Sequence, residues 1–353
     1  MIAVVLVGGE GTRLRPLTLD EPKPVLPIGG VPFVSLLLDR LAAAGVTRTI
    51  LSCGYLPDRL RAGIGEPPPG MTVEVVVEDE PLGTAGAIRF AAAGRVDGPF
   101  LALNGDVLGD ADFGALVAAH RERGALAAIG LTPVDDPTRF GVVVHTDDGT
   151  VERFVEKPPN ADGLGPGPWW VNAGAYVLDP SVLDMVPTGR MVSIEREVFP
   201  DLVGRGLICV RSDGYWRDIG TLESFLTANA DAVSGRVRTR LGDTPPVDPA
   251  AQVSPTAVLV PPVLVAAGAV IGDGAEIGPD AVIGPGAEVG ADATVRSSVL
   301  LADARVAAQA TVERSAIGRG ALVGERARVV DSALGTDQAA GAGEELVGER
   351  RPG

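Results

Sequence analysis

The stretch GGEGTRLRPLT, residues 8–18, organises the rest of the chain. It follows Ile2–Val7, an aliphatic run typical of a strand buried on both faces of a parallel sheet. We therefore expect the loop at the carboxyl end of a strand, where open α/β sheets bind ligands. Three glycines allow backbone N–H groups to approach a phosphate, and three cations lie in or just behind the loop. These residues are Gly8, Gly9, Gly11, Arg13, Arg15 and Lys23.

The composition limits the possible partners. The 353-residue chain has a formal net charge of −16, which argues against nucleic acid or an anionic membrane as a partner. Cations concentrated in one loop of an acidic protein suggest a small anionic ligand instead. No membrane span or signal peptide is evident, so we expect a cytoplasmic protein. Cys53 and Cys209 lie in separate apolar runs and are expected to be buried, reduced thiols.

Aliphatic strands alternate with helical segments up to residue 234, which is the pattern of a doubly wound α/β sheet. Asp106 follows the apolar strand Phe100–Leu103 and is expected in the same crevice as the first loop. Its alternative role as a helix cap is weakened because Asp110 and Asp112 are better placed to cap the next helix. Asp218 lies in another apolar strand, with a structural pairing to the neighbouring Arg217 as its alternative.

A six-residue period begins after residue 249. It is the signature of a left-handed β-helix, in which three hexapeptides form one triangular coil. The register slips near Val306 and again near Ile317, and simple division predicts four to five coils. We expect a catalytic domain over residues 1–234, a linker over 235–249, the β-helix over 250–335 and an irregular tail over 336–353. The periodic aliphatic residues are Val253, Leu259, Val265, Ile271, Ile277, Ile283, Val289, Val295 and Leu301.

Five separated motifs resemble those of the sugar-1-phosphate nucleotidyltransferases, and the resemblance covers essentially the whole chain. It implies a Rossmann-like doubly wound mixed sheet, the nucleotidyltransferase fold, followed by a left-handed parallel β-helix. The motifs are GGEGTRLRPLT with the PKP at 22–24, PLGTAGA at 81–87, NGD at 104–106, EKP at 156–158 and WRDIG at 216–220. The branch that transfers a guanylyl group to mannose 1-phosphate is the most similar, through FGVVV at 140–144, RFVEKP at 153–158, NAG at 172–174 and SIEREVFP at 193–200.

The resemblance implies that a sugar 1-phosphate attacks the α-phosphorus of a nucleoside triphosphate, giving a nucleotide sugar and pyrophosphate. A phosphate monoester is already anionic near pH 7, so catalysis must depend on positioning and charge neutralisation. The implied cofactor is Mg²⁺, with Asp106 and Asp218 as its ligands. Arg13 is expected to hold the β- and γ-phosphates, Lys23 to bridge toward the α-phosphate, and Lys157 to hold the sugar phosphate.

Two sets of binding residues follow from the same resemblance, and a homo-oligomer is expected. The nucleotide-binding set is Leu6, Gly8, Gly9, Gly11, Thr12, Glu78, Pro81, Gly83 and Thr84. The sugar-phosphate-binding set is Gly141, Glu156, Lys157, Asn172 and Gly174. Glu195 fits the first turn of a helix better than the substrate site.

The residue type at Glu78 predicts which nucleotide base the protein binds. A carboxylate only accepts hydrogen bonds at neutral pH, and guanine offers two adjacent donors, so GTP is the expected nucleotide, with mannose 1-phosphate as the expected sugar. The alternative is that Glu78 belongs to a solvated acidic run with Asp79 and Glu80. Thymidylyl-, adenylyl- or uridylyltransfer to glucose 1-phosphate and a non-catalytic regulatory subunit remain alternative functions. An acyltransferase β-helix is disfavoured because His120 and His145, the only histidines, both precede the repeat.

Overall fold

The computed structural model describes residues 1–240 and 244–352. The chain divides into two compact units: the first comprises Met1–Gly9 and Leu37–Trp216, and the second comprises Glu10–Leu36 and Arg217–Gly353. This division groups most of the glycine-rich loop and the last helix before the repeat with the β-helix. The predicted boundary at residue 234 stays a prediction. Part of the predicted linker, residues 241–243, lies outside the described residues.

The part of the chain before the repeat alternates strands with helices, as predicted. Its strands are β1 Ile2–Leu6, β2 Pro27–Ile28, β3 Val31–Pro32, β4 Arg48–Cys53, β5 Thr72–Val77, β6 Phe100–Asn104, β7 Val107–Gly109, β8 Ala127–Val134, β9 Gly141–His145, β10 Val151–Glu156, β11 Trp169–Leu178, β12 Leu207–Arg211 and β13 Trp216–Asp218. Its helices are α1 Phe33–Ala43, α2 Pro57–Gly63, α3 Gly83–Ala92, α4 Phe113–Arg123, α5 Phe199–Leu202 and α6 Leu222–Val233. Three short 3-10 turns, Thr12–Leu14, Lys23–Val25 and Pro180–Met185, and a π-helical turn, Ile194–Val198, complete it.

The first unit is built on a mixed sheet, which confirms the predicted fold class. Among the described residues, the sheet has nine strands: the path β10-β9-β11-β6-β1-β4-β5, with β8 paired to β11 and β12 paired to β8. β1 runs parallel to both of its neighbours, β4 and β6, and its residues Ala3, Val4 and Val5 are fully buried. β11 runs antiparallel to β6, β8 and β9, which makes the sheet mixed. Consequently β1, β4, β5 and β6 end at one common edge.

The second unit contains the left-handed β-helix that the hexapeptide period predicts. Over residues 252–351 it has three parallel sheets of six strands each, and alanines such as Ala275 and Ala293 are fully buried inside it. The strands are β14 Gln252–Val253, β15 Val258–Leu259, β16 Val263–Val265, β17 Val270–Ile271, β18 Glu276–Ile277, β19 Ala281–Ile283, β20 Glu288–Val289, β21 Thr294–Arg296, β22 Val299–Leu300, β23 Arg305–Val306, β24 Thr311–Glu313, β25 Ala316–Ile317, β26 Leu322–Val323, β27 Arg328–Val330, β28 Ala333–Leu334, β29 Ala339–Ala340, β30 Glu345–Val347 and β31 Arg350–Arg351.

The register slip has a structural cause that corrects one predicted core position. Leu300, not Leu301, pairs with Ile283 and is fully buried in the β-helix core. The corner before it is one residue shorter than in the preceding coil, because the buried Ser298 closes the corner by donating to the Arg296 carbonyl at 2.7 Å. Later coils repeat this short corner with Ser315 and Ser332, and each serine Oγ accepts from the backbone N–H 17 residues further on. The coils before Ile283 therefore have 18 residues each, and the coils after it have 17.

The predicted irregular tail is wrong for most of its length. Residues 339–351 form β29, β30 and β31, which pair with β26, β27 and β28 and add a further coil. The weak aliphatic pattern hid this coil, because Ala339–Ala340 and Arg350–Arg351 replace the usual branched residues. With this coil, each sheet has six strands, more than the four to five coils predicted. Gly353 lies outside the described residues.

The two cysteines are buried, as the sequence predicts. Cys53 and Cys209 are both buried free thiols, and burial raises the pKa of Cys209 to about 12. In the described parts of the chain, no helix has the length and apolar character needed to cross a bilayer.

Candidate active site

The end of β1 places Gly8 beside the carboxylate of Glu78. A β-carbon at Gly8 would lie 3.1 Å from the Gly54 nitrogen and 3.5 Å from Glu78 Oε1, so the glycine permits this close approach. Ser52 Oγ donates to the same Glu78 oxygen at 2.8 Å. Glu78 is half-buried, whereas Asp79 and Glu80 are exposed. The side chain of Glu78 is therefore held by the sheet edge and is not part of a solvated acidic run.

Leu6, Gly9 and Pro81 are in less constrained surroundings than Gly8. Leu6 is the half-buried last residue of β1, and Gly9 is exposed, so that a β-carbon added there would meet no heavy atom within 4 Å. Pro81 is exposed just before α3. The role of these three residues in nucleotide binding stays a prediction.

The PLGTAGA loop is fastened to a distant segment of the first unit. Gly83 has φ +72°, and a β-carbon there would lie 2.6 Å from the Val192 carbonyl oxygen, so only glycine fits without a backbone shift. Thr84 Oγ1 accepts from the Ile194 N–H at 2.8 Å and donates to Glu195 Oε2 at 2.7 Å. The single hydroxyl proton of Thr84 is thus committed to Glu195, which the sequence did not reveal.

The predicted sugar-phosphate residues Asn172 and Gly174 lie together where β11 departs from its regular register with β8. Asn172 Oδ1 accepts from the Gly174 N–H at 2.9 Å, and its Nδ2 donates to Tyr176 Oη at 2.9 Å. Gly174 has φ +75°, and a β-carbon there would lie 3.0 Å from Asn104 Nδ2. At this irregularity the Asn172 amide hydrogen-bonds to Gly174 and Tyr176 of the same strand, and these two bonds fix its orientation.

Gly141, Glu156 and Lys157 form a second group in the same unit. A β-carbon at Gly141 would lie 2.6 Å from the Phe154 ring and 2.8 Å from Glu156 Oε2, so these two side chains together favour glycine. Lys157 has a left-handed backbone, φ +46°, and its Nζ lies 3.5 Å from Glu156 Oε1. Such a conformation is costly for a residue other than glycine and is concentrated at functional sites. Burial raises the pKa of Glu156, and repulsion from Glu195 raises it further.

The aromatic side chain of Trp216 lies next to the predicted sugar-phosphate residues of β11, a position that the sequence analysis did not predict. Its Nε1 donates to the Ala173 carbonyl at 3.0 Å, and Phe140 packs against its indole with ring centroids 5.1 Å apart. Ala173 lies between the two predicted sugar-phosphate residues of β11. The sequence carries a signal for this residue, because Trp216 is the first residue of the WRDIG motif.

Asp106 stands at the carboxyl end of β6, between that strand and β7. The preceding Gly105 packs against β1: its N–H donates to the Leu6 carbonyl at 2.9 Å, and a β-carbon would lie 2.6 Å from a Val7 methyl group. Asp106 is half-buried and contributes to the strongly raised pKa of the buried Tyr176, whose main cause is burial. The cap of α4 is Asp112, as expected, since its side chain accepts from the Ala115 N–H.

In the second unit, Arg13 and Asp218 converge on Gly220. A β-carbon at Gly220 would lie 2.6 Å from Arg13 Nη2 and 2.9 Å from Asp218 Oδ2. The neighbouring Arg217 pairs with Asp231 at 3.3 Å. Asp218 is therefore placed beside a cation of the glycine-rich loop.

The rest of the glycine-rich loop is held by its own side chains. Gly11 has φ +62° and precedes the turn that begins at the exposed Thr12. Thr18 Oγ1 donates to the Gly11 carbonyl at 2.8 Å, and Lys23, with 8% of its surface exposed, packs its β-carbon 3.4 Å from the position of a Gly11 β-carbon. Arg15 pairs with Glu10 at 2.7 Å, which favours a bracing role for it.

Asp106 in the first unit and Asp218 in the second each have the donor chemistry that a hard divalent cation prefers. In residues 1–240 and 244–352, no cluster of three or more His, Cys, Asp or Glu side chains is arranged to hold a metal. Asp106 and Asp218 offer only carboxylate oxygens. Mg²⁺ commonly takes one or two such ligands and completes its shell with phosphate oxygens and water. The donor chemistry of each carboxylate is therefore compatible with Mg²⁺.

Comparison with known proteins points to the same chemistry. The family described as Nucleotidyl transferase matches residues 2–235, and the GMPPB C-terminal domain matches residues 246–347. A mannose-1-phosphate guanylyltransferase of Mycobacterium tuberculosis is 43% identical over 66% of this chain and 65% of its own length. A mannose-1-phosphate guanyltransferase of Candida albicans is 42% identical over 64% of this chain and 63% of its own length. The matches thus span slightly less than two thirds of these relatives.

Solved structures give the same fold for about two thirds of the chain. HddC from Yersinia pseudotuberculosis, complexed with GMP-PN, has a TM-score of 0.54 and 30% identity, covering 65% of this chain and 97% of that one. A second crystal structure of HddC from the same organism has a TM-score of 0.55 at the same identity and coverage.

Proposed function

Because the chain belongs to the Nucleotidyl transferase family, we propose that it transfers a guanylyl group from GTP to mannose 1-phosphate, giving GDP-mannose and pyrophosphate. The names of the relatives support this proposal, and so does the complex of HddC with GMP-PN. The observation that carries it is the Glu78 carboxylate held beside Gly8 at the carboxyl edge of the sheet. A carboxylate in that place selects a base with adjacent donors.

Guanine has this property. Its N1–H and exocyclic amine both donate, and a carboxylate accepts both, while adenine presents an acceptor at N1. Ser52 already donates to Glu78 Oε1 at 2.8 Å, so the carboxylate is pre-oriented before a base arrives. Leaving such a group without donors costs about 1–3 kcal/mol, which corresponds to tenfold or more in selectivity.

Charge neutralisation is assigned to three cations. We place Arg13 on the leaving β- and γ-phosphates, Lys23 toward the α-phosphate, and Lys157 on the phosphate of the attacking sugar. Lys157 is suited to this task because the left-handed backbone after β10 directs a partly exposed ammonium next to the half-buried Glu156. No residue needs to remove a proton from the nucleophile, since the phosphate monoester is ionised near pH 7. The chain's contribution is alignment and electrostatic stabilisation.

Mg²⁺ is the cofactor we propose, with Asp106 and Asp218 as its protein ligands. When bound, the ion supplies charge neutralisation for the phosphate oxygens. Asp218 lies beside the Arg13 guanidinium at Gly220, so the carboxylate also orients that arginine. Each Asp→Ala variant should lower turnover about a hundredfold or more. An unchanged turnover would remove that residue from the metal site.

The sugar is assigned to the group formed by Glu156, Asn172, Gly174 and Gly141. Glu156 is half-buried with a raised pKa, so its carboxylate benefits from hydroxyl donors that replace lost water. The indole of Trp216 borders this group, because its Nε1 donates to the carbonyl of Ala173, which lies between Asn172 and Gly174. These features suit a polyhydroxyl ring with one anionic substituent.

A substrate-matrix assay tests the proposal. Pyrophosphate release is measured with GTP, dTTP, ATP and UTP against mannose 1-phosphate and glucose 1-phosphate. Highest kcat/KM with GTP and mannose 1-phosphate supports the assignment, while preference for another pair supports the thymidylyl-, adenylyl- or uridylyltransferase alternative. Binding of nucleotide sugar without turnover would support a regulatory subunit. The cytoplasmic location and the homo-oligomer are further parts of this proposal, to be tested by fractionation and light scattering.

A further inference from the structure

The nucleotide loop and the sugar-phosphate group are linked through one segment, Val192–Glu195. Its backbone is fastened to the loop at two points: the Val192 N–H donates to the Leu82 carbonyl at 2.9 Å, and the Ala85 N–H donates to the Val192 carbonyl at 2.9 Å. The close approach at Gly83 leaves no space for a side chain between them. Loop and segment therefore move as one piece.

Glu195 extends this piece toward the sugar-phosphate group. It lies in the π-helical turn Ile194–Val198, a rare geometry that is often found at functional sites. Two hydroxyls, Thr84 Oγ1 and Ser193 Oγ, each donate to its Oε2 at 2.7 Å. Glu195 lies in the first turn of this segment, as expected, and Ser193 caps it by accepting from the Arg196 N–H at 3.3 Å.

The turn Ile194–Val198, which carries Glu195, packs against β10, the strand that ends at Glu156. The Glu195 carboxylate also acts electrostatically on the sugar-phosphate group. It contributes to the raised pKa of Glu156 and to that of the buried Tyr176, in both cases after burial as the main cause. Tyr176 in turn accepts from the Asn172 amide at 2.9 Å. The other charges that face Glu156 are Lys157 and Arg196, both of which lower its pKa.

We propose that Glu195 is a positioning residue that transmits the placement of the nucleotide loop to the sugar-phosphate group, through the Thr84 hydroxyl on one side and Glu156 and Tyr176 on the other. This inference rests on the proposed function. It makes the Thr84 hydroxyl a bridge within the protein, and its loss impairs use of the sugar phosphate more than use of the nucleotide. The reason is that the Glu195 carboxylate keeps the Ser193 hydroxyl but loses the Thr84 hydroxyl, so it shifts relative to Glu156 while the backbone of the loop stays hydrogen-bonded to Val192.

Thr84→Val tests this bridge because it removes one hydroxyl and nearly conserves volume. A hydrogen bond to a charged group is stronger than one between neutral groups, so we expect roughly a tenfold or larger rise in the KM for mannose 1-phosphate. The KM for GTP should change less than twofold, and Thr84→Ser should restore the wild-type values. Glu195→Gln, which keeps the shape but removes the charge, should show the same split. Thr72→Val, whose hydroxyl makes only a long 3.5 Å contact at an exposed site, is the matched control.

Each outcome decides the inference. An unchanged KM for the sugar phosphate in folded Thr84→Val, verified by its melting temperature, would overturn it, and so would equal losses in Thr84→Val and Thr84→Ser. A rise confined to the KM for GTP would show instead that Thr84 contacts the nucleotide directly. Absence of turnover by the wild type with every substrate pair would overturn the proposed function and this inference together. Normal wild-type turnover with an unaffected Thr84→Val would overturn this inference alone.

Discussion

Replacing Gly220 by alanine should disable Arg13 without unfolding the protein. The added β-carbon would lie 2.6 Å from Arg13 Nη2, 3.0 Å from its Cζ and 2.9 Å from Asp218 Oδ2. Carbon atoms in contact normally sit about 3.5–4.0 Å apart, so the guanidinium must retreat by roughly 1 Å. The backbone of Gly220 is not in the left-handed region, and the clashing atoms are the ends of two side chains. The folding cost should therefore be small, about 1 kcal/mol or less.

The expected loss of activity is much larger. A misplacement of about 1 Å can cost about a hundredfold in rate, and losing one preorganised group that stabilises the transition state costs about 10²–10³. We therefore expect Gly220→Ala to lower kcat for pyrophosphate release about a hundredfold, with the melting temperature nearly unchanged. Gly98→Ala is the matched control, because a β-carbon at Gly98 meets no heavy atom within 4 Å.

A double-mutant cycle with Arg13→Ala shows whether the loss passes through Arg13. If Gly220→Ala acts by displacing the guanidinium, the double variant should be no slower than Arg13→Ala alone. Additive losses would mean that Gly220 serves another purpose. Normal turnover in a folded Gly220→Ala variant would refute the reasoning, because it would show that catalysis does not depend on the position of Arg13.

Four further outcomes are expected. Glu78→Gln should reduce the preference for GTP over ATP about tenfold and affect kcat less, as measured by kcat/KM for both nucleotides, and unchanged selectivity would contradict the base assignment. Lys157→Ala should raise the KM for mannose 1-phosphate well above any change for GTP, and a nucleotide effect of equal size would speak against that role. Two arginines hold the pKa of Glu74 below its ordinary value of 4.5, so its stabilisation is present above pH 4.5 and is lost as the pH falls through the folded pKa. Glu74→Gln should thus lower the free energy of unfolding by about 0.5 kcal/mol at pH 7 in urea titrations, with the difference disappearing in acid; a difference that grows in acid would reverse the sign of this argument. Ser315→Ala should lower the free energy of unfolding by about 1–3 kcal/mol, since the buried Ser332 N–H loses its acceptor, and no change in melting temperature would refute that accounting.

The repeat shows what local sequence determines. A six-residue period of aliphatic residues predicts a β-helix because each coil places its inward-facing side chains at the same positions. The spacing alone is therefore enough to predict this fold. The same spacing misplaced Leu301 and missed the last coil. Both errors arise where hydrogen bonds decide the geometry: Ser298 closes a shorter corner, and β29 and β31 pair through backbone groups while carrying alanine and arginine.

The site divides in the same way. Residue types near strand ends indicated an anionic ligand, and the motifs identified Asp106, Asp218, Lys157 and Glu78 as candidates. The tertiary structure alone joined Thr84 to Glu195, 111 residues further on, and Ser52 to Glu78, 26 residues further on. It also showed that the Arg13 guanidinium occupies the place where a side chain at position 220 would lie. The partner of a side chain depends on which helices and strands pack together. The residues that neighbour it in the sequence do not determine that packing, so the sequence alone did not predict these contacts.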